Sequence, residues 1–214
     1  MLKIQRFVFN YFHENTFLIC DEESKTAAVI DPGMYDEKEK IAFKSFVLQN
    51  ELHLKFCVNT HCHIDHVIGN SFLKKEFNTQ LMIPKEDEYL LEMMVAQAEK
   101  FGIEVEPSPK PDFYINDLTK LQLGKIEGAF IRTPGHTPGE VCIYFEKEKV
   151  LFSGDVLFKE SIGRTDLWGG DYNTLISSIK TKLFTLPDEV IVYPGHESAT
   201  TIGYEKMHNP FLTN

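Results

Sequence analysis

Four strand-like segments of this chain each lead into a short loop that carries histidine or aspartate. The apolar run 54–58 leads into THCHIDH at 60–66, and a later run leads into TPGHTPG at 133–139. The other two loops are SGD at 153–155 and YPGH at 193–196. Catalytic groups tend to collect in loops at one edge of a rigid sheet, so one shared site explains all four loops. The chain is therefore expected to form sheets whose strand ends present these side chains.

The spacing of apolar residues predicts strands and helices in both halves of the chain. The predicted strands cover residues 3–9, 16–20, 27–30, 54–58, 81–83, 120–123, 128–133, 141–145, 150–152 and 190–193. The predicted helices cover residues 36–49, 67–77, 85–101 and 172–184. Strands followed by a crossing helix in each half favour two packed sheets with helices outside, a four-layer αββα sandwich of the α/β (α+β) class. We find no linker and expect a single domain over residues 1–214.

Charge and composition argue against several classes of partner. With 214 residues and 43% hydrophobic content, the chain can bury a full core. Its net charge of −10 repels phosphate backbones and anionic lipids, and its densest basic stretches, 38–44 and 147–149, are interleaved with glutamates. We therefore expect a small-molecule substrate, no nucleic acid and no membrane partner, and we leave the oligomeric state open.

The cysteines and the N-terminal residues bear on the cellular compartment. No two of the four cysteines form a C-x-x-C pair, which is typical of reduced, mostly buried thiols. Neither a signal peptide nor an apolar run of the ~18 residues of a membrane helix is visible in the sequence. A cytoplasmic location is therefore the expectation.

The segment 61–66 concentrates the ligand types that zinc prefers, imidazole nitrogen and carboxylate oxygen. In extended backbone His61 and His63 point to the same side and can reach one ion, because side chains alternate along a strand. Asp65 and His66 follow after the chain turns and can face a neighbouring position. A polar loop that caps a helix beginning near Val67 would also explain this segment if it stood alone.

Three further residues make the capping explanation insufficient. His136 lies in a rigid Gly-Pro turn, Asp155 lies just past another strand, and His196 repeats the Pro-Gly-His pattern. Together the seven side chains exceed what one tetrahedral zinc needs, but they suit two ions if one carboxylate bridges them. The sequence therefore predicts a binuclear metal site.

The segment 60–66 resembles the H-x-H-x-D-H signature of the metallo-β-lactamase superfamily, and His136, Asp155 and His196 match its remaining ligands in order. Within that superfamily the chain is similar to the glyoxalase II group of short bacterial type, as segments 153–158, 163–167 and 200–212 also indicate. The resemblance implies a metallo-β-lactamase sandwich with two divalent metal ions, for which we expect zinc, with iron or manganese as alternatives. It further implies the following assignment: His61, His63 and His136 on the first ion, Asp65, His66 and His196 on the second, and Asp155 bridging both.

The resemblance also implies hydrolysis of a thioester such as S-lactoylglutathione. Two ions can lower the pKa of a shared water and polarise the carbonyl group, so that hydroxide attacks it. Asp65 and Asp155 are the predicted catalytic carboxylates, since Asp65 can also orient the hydroxide. A thiol of pKa ~8.5 can leave unprotonated, which suits a site without a separate general acid.

Arg164 and Tyr204 are the candidate substrate-binding residues. Arg164 lies where larger glyoxalases have a basic residue that contacts glutathione, but Asp166 stands where they carry a tyrosine. The basic residues of their C-terminal helical domain have no counterpart up to Asn214. We therefore expect glutathione to bind more weakly or to be replaced by another thiol.

Other functions remain open at this point. Persulfide dioxygenases share T-H-C-H-x-D-H and G-R-T-D, and the resemblance to them implies a single iron on His61, His136 and Asp155. A β-lactamase is disfavoured by the absence of an export signal, and a nuclease by the acidic charge. A metal-binding module without catalysis is the remaining class. The helix 85–101 has the spacing of a core helix, with a lid over the substrate as the alternative.

Overall fold

Two six-stranded β-sheets with helices make up the structure, a computed structural model that describes residues 1–213. The chain divides into two compact units. The first consists of Met1–Ile115 with Gln122–Glu127, and the second of Asn116–Leu121 with the chain from Gly128 onward. That both units act as one domain over residues 1–214 stays a prediction.

The sheet of the first unit combines an antiparallel meander with three parallel neighbours. In sheet order, its strands are β1 (Leu2–Phe9), β2 (Glu14–Asp21), β3 (Thr26–Ile30), β4 (His53–Val58), β5 (Gln80–Pro84) and β6 (Phe113–Ile115). The first three pair antiparallel, and β3 to β6 pair parallel. Helix α1 (Glu37–Gln49) links β3 to β4, and it begins in a capping box between Asp36 and Glu39.

Two helices that the sequence predicts as continuous are broken in the structure. Residues 67–77 belong to α2 (Ile64–Val67) and α3 (Asn70–Phe77). The break falls at Gly69, whose N–H donates to the Pro32 carbonyl at 2.8 Å, and where a side chain would meet the Met34 sulfur. Residues 85–101 form a 3₁₀ turn (Lys85–Asp87), α4 (Glu88–Glu92) and α5 (Met94–Lys100), whose buried Leu90, Leu91, Met94 and Ala98 give them the character of core helices.

The other sheet is mostly antiparallel, and its strands belong to the second unit except for residues 122–127. In sheet order, its strands are β14 (Thr200–Thr201), β13 (Ile191–Pro194), β10 (Val150–Gly154), β9 (Val141–Phe145), β8 (Ile126–Arg132) and β7 (Lys120–Leu123). A small hairpin of β11 (Leu157–Phe158) and β12 (Ser161–Ile162) follows β10. The helices are α6 (Tyr172–Ser178), continued by a π-helical turn (Ile179–Leu183), and α7 (Ile202–His208). They pack on a core that includes Leu151, Leu175, Ile179, Val192 and Ile202.

The cysteines agree with the expectation of reduced thiols. All four are buried and none is in a disulfide. Within residues 1–213, no helix has the length and apolar character that crossing a bilayer requires.

Candidate metal centre

Strand direction brings three of the predicted ligands together in the second unit. Strand β9 is antiparallel to both β8 and β10, and β13 is parallel to β10. β8, β10 and β13 therefore run the same way, and the loops that follow them lie at one edge of the sheet. His136, Asp155 and His196 belong to these three loops.

One oxygen of Asp155 is shared between two histidines. Its Oδ2 lies 3.7 Å from Nε2 of His136 and 3.6 Å from Nε2 of His196. Two ligands that bind one tetrahedral zinc at ~2.0–2.2 Å are themselves about 3.4 Å apart. The spacing therefore fits ligands separated by a metal ion, and the shared oxygen fits a carboxylate that bridges two ions.

A hydrogen bond orients the imidazole of His136. Its Nδ1 lies 2.7 Å from the backbone carbonyl oxygen of Arg164. A carbonyl only accepts, so Nδ1 carries the proton and Nε2 keeps a lone pair on the side of Asp155. This is the usual way in which a protein prepares a metal-binding histidine. Arg164 thus contributes to the site through its backbone, a role that the sequence did not indicate.

The backbone of Asp155 is held on two sides. Its N–H donates to Oε1 of the buried Glu140 at 2.8 Å. On the other side Gly163 approaches so closely that a Cβ there would lie 1.8 Å from the Asp155 carbonyl oxygen. A glycine is therefore required at 163 by space rather than by backbone conformation.

In the first unit, β4 leads into the segment 61–66, and His63 is the N-cap of α2. This helix begins at Ile64, earlier than the start near Val67 that the sequence predicts, so Asp65 lies in its first turn. The rings of His61 and His66 are 4.1 Å apart, and those of His61 and His63 are 4.9 Å apart. Nε2 of His66 lies 3.6 Å from Oδ2 of Asp65, the same spacing as at Asp155.

Asp31 and Thr60 determine the tautomer of His61. The Thr60 hydroxyl donates to Oδ2 of Asp31 at 2.7 Å and also lies 3.1 Å from Nδ1 of His61. A hydroxyl has one proton, so the second contact requires His61 Nδ1–H to donate to Thr60. His61 Nε2 is then the nitrogen available to a metal ion.

Asp31 supports the ligands rather than joining them. Asp31, His61 and His66 could by distance form a metal site, since their ligand atoms lie within 4.8 Å of one another. Both Asp31 oxygens, however, already accept 2.7 Å hydrogen bonds from Thr60, and Oδ2 also lies 3.2 Å from Nδ1 of His66. Asp31 thereby holds the Thr60 hydroxyl that contacts His61, and its carboxylate lies beside the ring of His66. Its position after a strand and before Pro32-Gly33 is the signal that could have identified it.

Cys62 lies between two predicted ligands but is a packing residue. It is fully buried, and burial first, then the nearby Asp87 carboxylate, raises the pKa of its thiol well above the ordinary value. A neutral thiol is a poor metal ligand, because the thiolate is the form that binds.

The two predicted substrate-binding residues have local partners. Arg164 forms a two-point ion pair with Asp166, at 2.7 and 2.8 Å, in which both side chains are exposed. Tyr204 lies on α7, where its hydroxyl donates to Glu160 in the β11–β12 turn and its ring packs against His208 at 4.5 Å. Their roles toward a substrate stay predictions.

Each unit thus presents imidazole nitrogens beside a carboxylate at metal-ligand spacing, which defines a metal-binding α/β protein. The chain belongs to the metallo-beta-lactamase superfamily, whose family model matches residues 10–196. This match confirms the superfamily that the H-x-H-x-D-H segment predicts.

Two curated relatives are similar over most of the chain. Hydroxyacylglutathione hydrolase GloC of Haemophilus influenzae is 42% identical over 205 residues, which cover 95% of this chain and 94% of that protein. The mitochondrial persulfide dioxygenase ETHE1 of Homo sapiens is 32% identical over 204 residues, covering 92% of this chain and 71% of that protein.

Two solved structures are similar over nearly all of the chain. The BLEG-1 B3 metallo-beta-lactamase has a TM-score of 0.89 at 33% identity and covers all of both chains. TTHA1623 in a di-iron-bound form has a TM-score of 0.86 at 33% identity and covers 97% of this chain and all of that one. These matches confirm the predicted fold class, a mixed α/β metallo-β-lactamase fold.

Proposed function

We propose that this chain is a binuclear metal-dependent hydrolase that cleaves thioesters such as S-lactoylglutathione. The observation that carries the proposal is the single Asp155 oxygen that lies within 3.7 Å of two histidine nitrogens, because a shared oxygen suits two ions better than one. The 42% identity to a hydroxyacylglutathione hydrolase supports the choice of substrate. The site alone does not select a substrate, since one fold hosts many reactions.

The proposal assigns all seven predicted ligands. His61, His63 and His136 would hold one ion, Asp65, His66 and His196 the other, and Asp155 both. The donor set fits, because neutral imidazole and carboxylate suit zinc and also iron. We propose zinc, and the di-iron form of the similar TTHA1623 makes iron the alternative to measure.

The residues of the chain would have the following roles in the reaction. When bound, the two ions supply Lewis acidity that lowers the pKa of a water and polarises the thioester carbonyl. Asp65, whose side chain keeps 14% exposure, would accept a proton from the attacking water. Thr60 and the Arg164 carbonyl keep His61 and His136 in the required tautomers throughout. Cleavage of the C–S bond then releases a thiolate, which needs no acid near neutral pH.

A second candidate is the persulfide dioxygenase reaction. The 32% identity to human ETHE1 favours it, and His61, His136 and Asp155 would form a two-histidine, one-carboxylate iron site. This reaction consumes oxygen, whereas thioester hydrolysis does not. Oxygen dependence therefore separates the two.

The test combines metal analysis with anaerobic hydrolysis on one purified sample. We expect about two equivalents of metal and loss of the S-lactoylglutathione absorbance without oxygen, in line with a two-ion site. Asp155→Asn, which keeps the shape but removes the charge, should abolish turnover and lower the metal content. The exposed Asp117→Asn is the matched control and should change neither. About one equivalent of iron, no hydrolysis, and oxygen uptake with glutathione persulfide would instead establish the dioxygenase.

A further inference from the structure

Helix α6 packs directly on the turn that carries His136. This turn follows β8 and consists of residues 133–136, and a Cβ at Gly135 would lie 2.3 Å from Cα of Leu175 in α6. At the start of the helix, the N–H of Asp171 donates to the Gly135 carbonyl at 2.8 Å. The helix therefore limits how far the turn can move.

The buried hydroxyl of Ser178, in the last turn of α6, holds the same segment. Its Oγ donates to the Pro134 carbonyl at 2.8 Å. A serine or threonine within a helix can bond back to a carbonyl of that helix, as Thr181 does to the Ser177 carbonyl at 2.7 Å. Ser178 instead uses its only proton on the turn. Its bond thus fixes the residue two positions before His136.

Lys182 adds a contact from the π-helical turn that continues α6. Its ammonium donates at 2.5 Å to the carbonyl of Arg132, the last residue of β8. The N–H of Phe184 closes the π-helical turn by donating to the Ile179 carbonyl, five residues back, at 2.9 Å. Single π-helical turns are frequent at functional sites. Here the turn brings a charged donor to the end of the strand that leads to His136.

Two different elements therefore hold His136. The Arg164 carbonyl fixes its ring at Nδ1, whereas α6 and its continuation fix the backbone that precedes it. A zinc ion accepts a histidine nitrogen only near ~2.0–2.1 Å, so a small displacement of the turn weakens binding. We propose that Ser178 and Lys182 are positioning residues that set the affinity of the first metal ion, the ion assigned to His136. The inference rests on the two-ion centre of the proposed function.

The test titrates cobalt(II) into the metal-free full chain in competition with a chelating indicator. Ser178→Ala and Lys182→Met should each weaken binding of the first ion about three- to tenfold, less than the 10–100-fold typical of a group bonded directly to a metal ligand. Binding of the second ion should stay the same. Lys182→Arg, which keeps a charged donor, should recover most of the affinity. The NMR signals of the His136 ring identify the ion that binds there.

Two controls separate positioning from stability. Ser177→Ala removes an exposed hydroxyl from the same helix and should leave the affinity for both ions unchanged. Val190→Ala creates a cavity in the core on which α6 packs, so it should lower Tm without weakening the binding of either ion. Hydrogen exchange gives a second measurement. Because coupling is reciprocal, binding of the first ion should slow exchange of the Asp171 N–H, which bonds to the turn.

The outcomes separate this inference from the proposed function. If Ser178→Ala and Lys182→Met bind both ions as the wild type does, the inference is wrong, although the hydrolase assignment stands. If Val190→Ala weakens the first ion as much as Ser178→Ala, the effect comes from stability and the inference is again wrong. If the affinities change as expected but the wild type cleaves no thioester, the proposed substrate is refuted and the positioning roles are supported. A wild-type protein that binds no metal would refute both.

Discussion

Gly163→Ala should disable the metal centre by displacing Asp155. The added methyl group would lie 1.8 Å from the Asp155 carbonyl oxygen, about half of the 3.4 Å at which ordinary contact begins, and 3.3 Å from Cβ of His136. The backbone at Asp155 must therefore shift by more than an ångström. Overpacking of this kind costs about 1–3 kcal/mol of unfolding free energy. A displacement of about 1 Å at a reacting centre costs roughly 100-fold in rate, so kcat/KM should fall at least that far.

The matched control is Gly102→Ala, where the backbone conformation is unfavourable for alanine but space is available, the opposite of position 163. Gly102 has φ of +68° but nothing within 4 Å, so alanine there has space and only the left-handed backbone costs it, by about 1–2 kcal/mol. Urea unfolding, metal content and thioester hydrolysis should be measured on both variants. We expect similar destabilisation in the two, with metal and activity lost only at position 163. A Gly163→Ala protein with full metal content and activity would refute the proposed constraint on Asp155.

Three further predictions concern stability, protonation and metal binding. Removal of metal by a chelator should lower Tm, and added zinc should restore it. A ligand that binds only the folded state stabilises it by about 2.7 kcal/mol when its concentration is 100 times its Kd. An unchanged melting curve would contradict metal binding. Glu205→Ala should lower the free energy of unfolding by about 1–3 kcal/mol, since this buried carboxylate accepts hydrogen bonds from Thr200, Asn209 and the Glu160 N–H, and these donors would lose their acceptor. The control Asp188→Ala, at an exposed ion pair, should cost about 0–1 kcal/mol in the same urea titration. The Arg164 hydrogen bonds lower the pKa of Asp166 from 3.8 to about 2. The stability that this pair contributes is therefore fully present above pH 3.8 and is lost as the pH falls through 2. A carboxyl NMR titration of Asp166 with its midpoint near 3.8 would show that the pair does not persist in solution.

The candidate ligands could be identified from the sequence because their pattern is local in the chain. His61, His63, Asp65 and His66 occupy six residues after an apolar strand, and few roles other than metal binding use that combination. The loops at His136, Asp155 and His196 repeat one pattern, a strand that ends in a turn. The strands themselves follow from runs of β-branched and aromatic residues, and most bounds agree to within two residues.

The helix breaks and the supporting residues are not predictable in the same way. Gly69 ends α2 because it touches Pro32 and Met34, which a helical pattern over 67–77 does not contain. Asn10 meets Asp65 across 55 residues, and Glu140 meets Asp155 across 15. Each of these contacts depends on which loops the sheet brings together.

The sequence by itself determined the superfamily, most of the strands, and the seven side chains that we predict to bind metal. These properties depend on residue type and on spacing along the chain. Only the tertiary structure decided which nitrogen of His136 carries the proton, which Asp155 oxygen is shared, and which distant side chains, such as Asn10, contact the ligand segments. Those properties depend on hydrogen bonds and contacts between residues far apart in sequence, whose distances are set by strand pairing and packing.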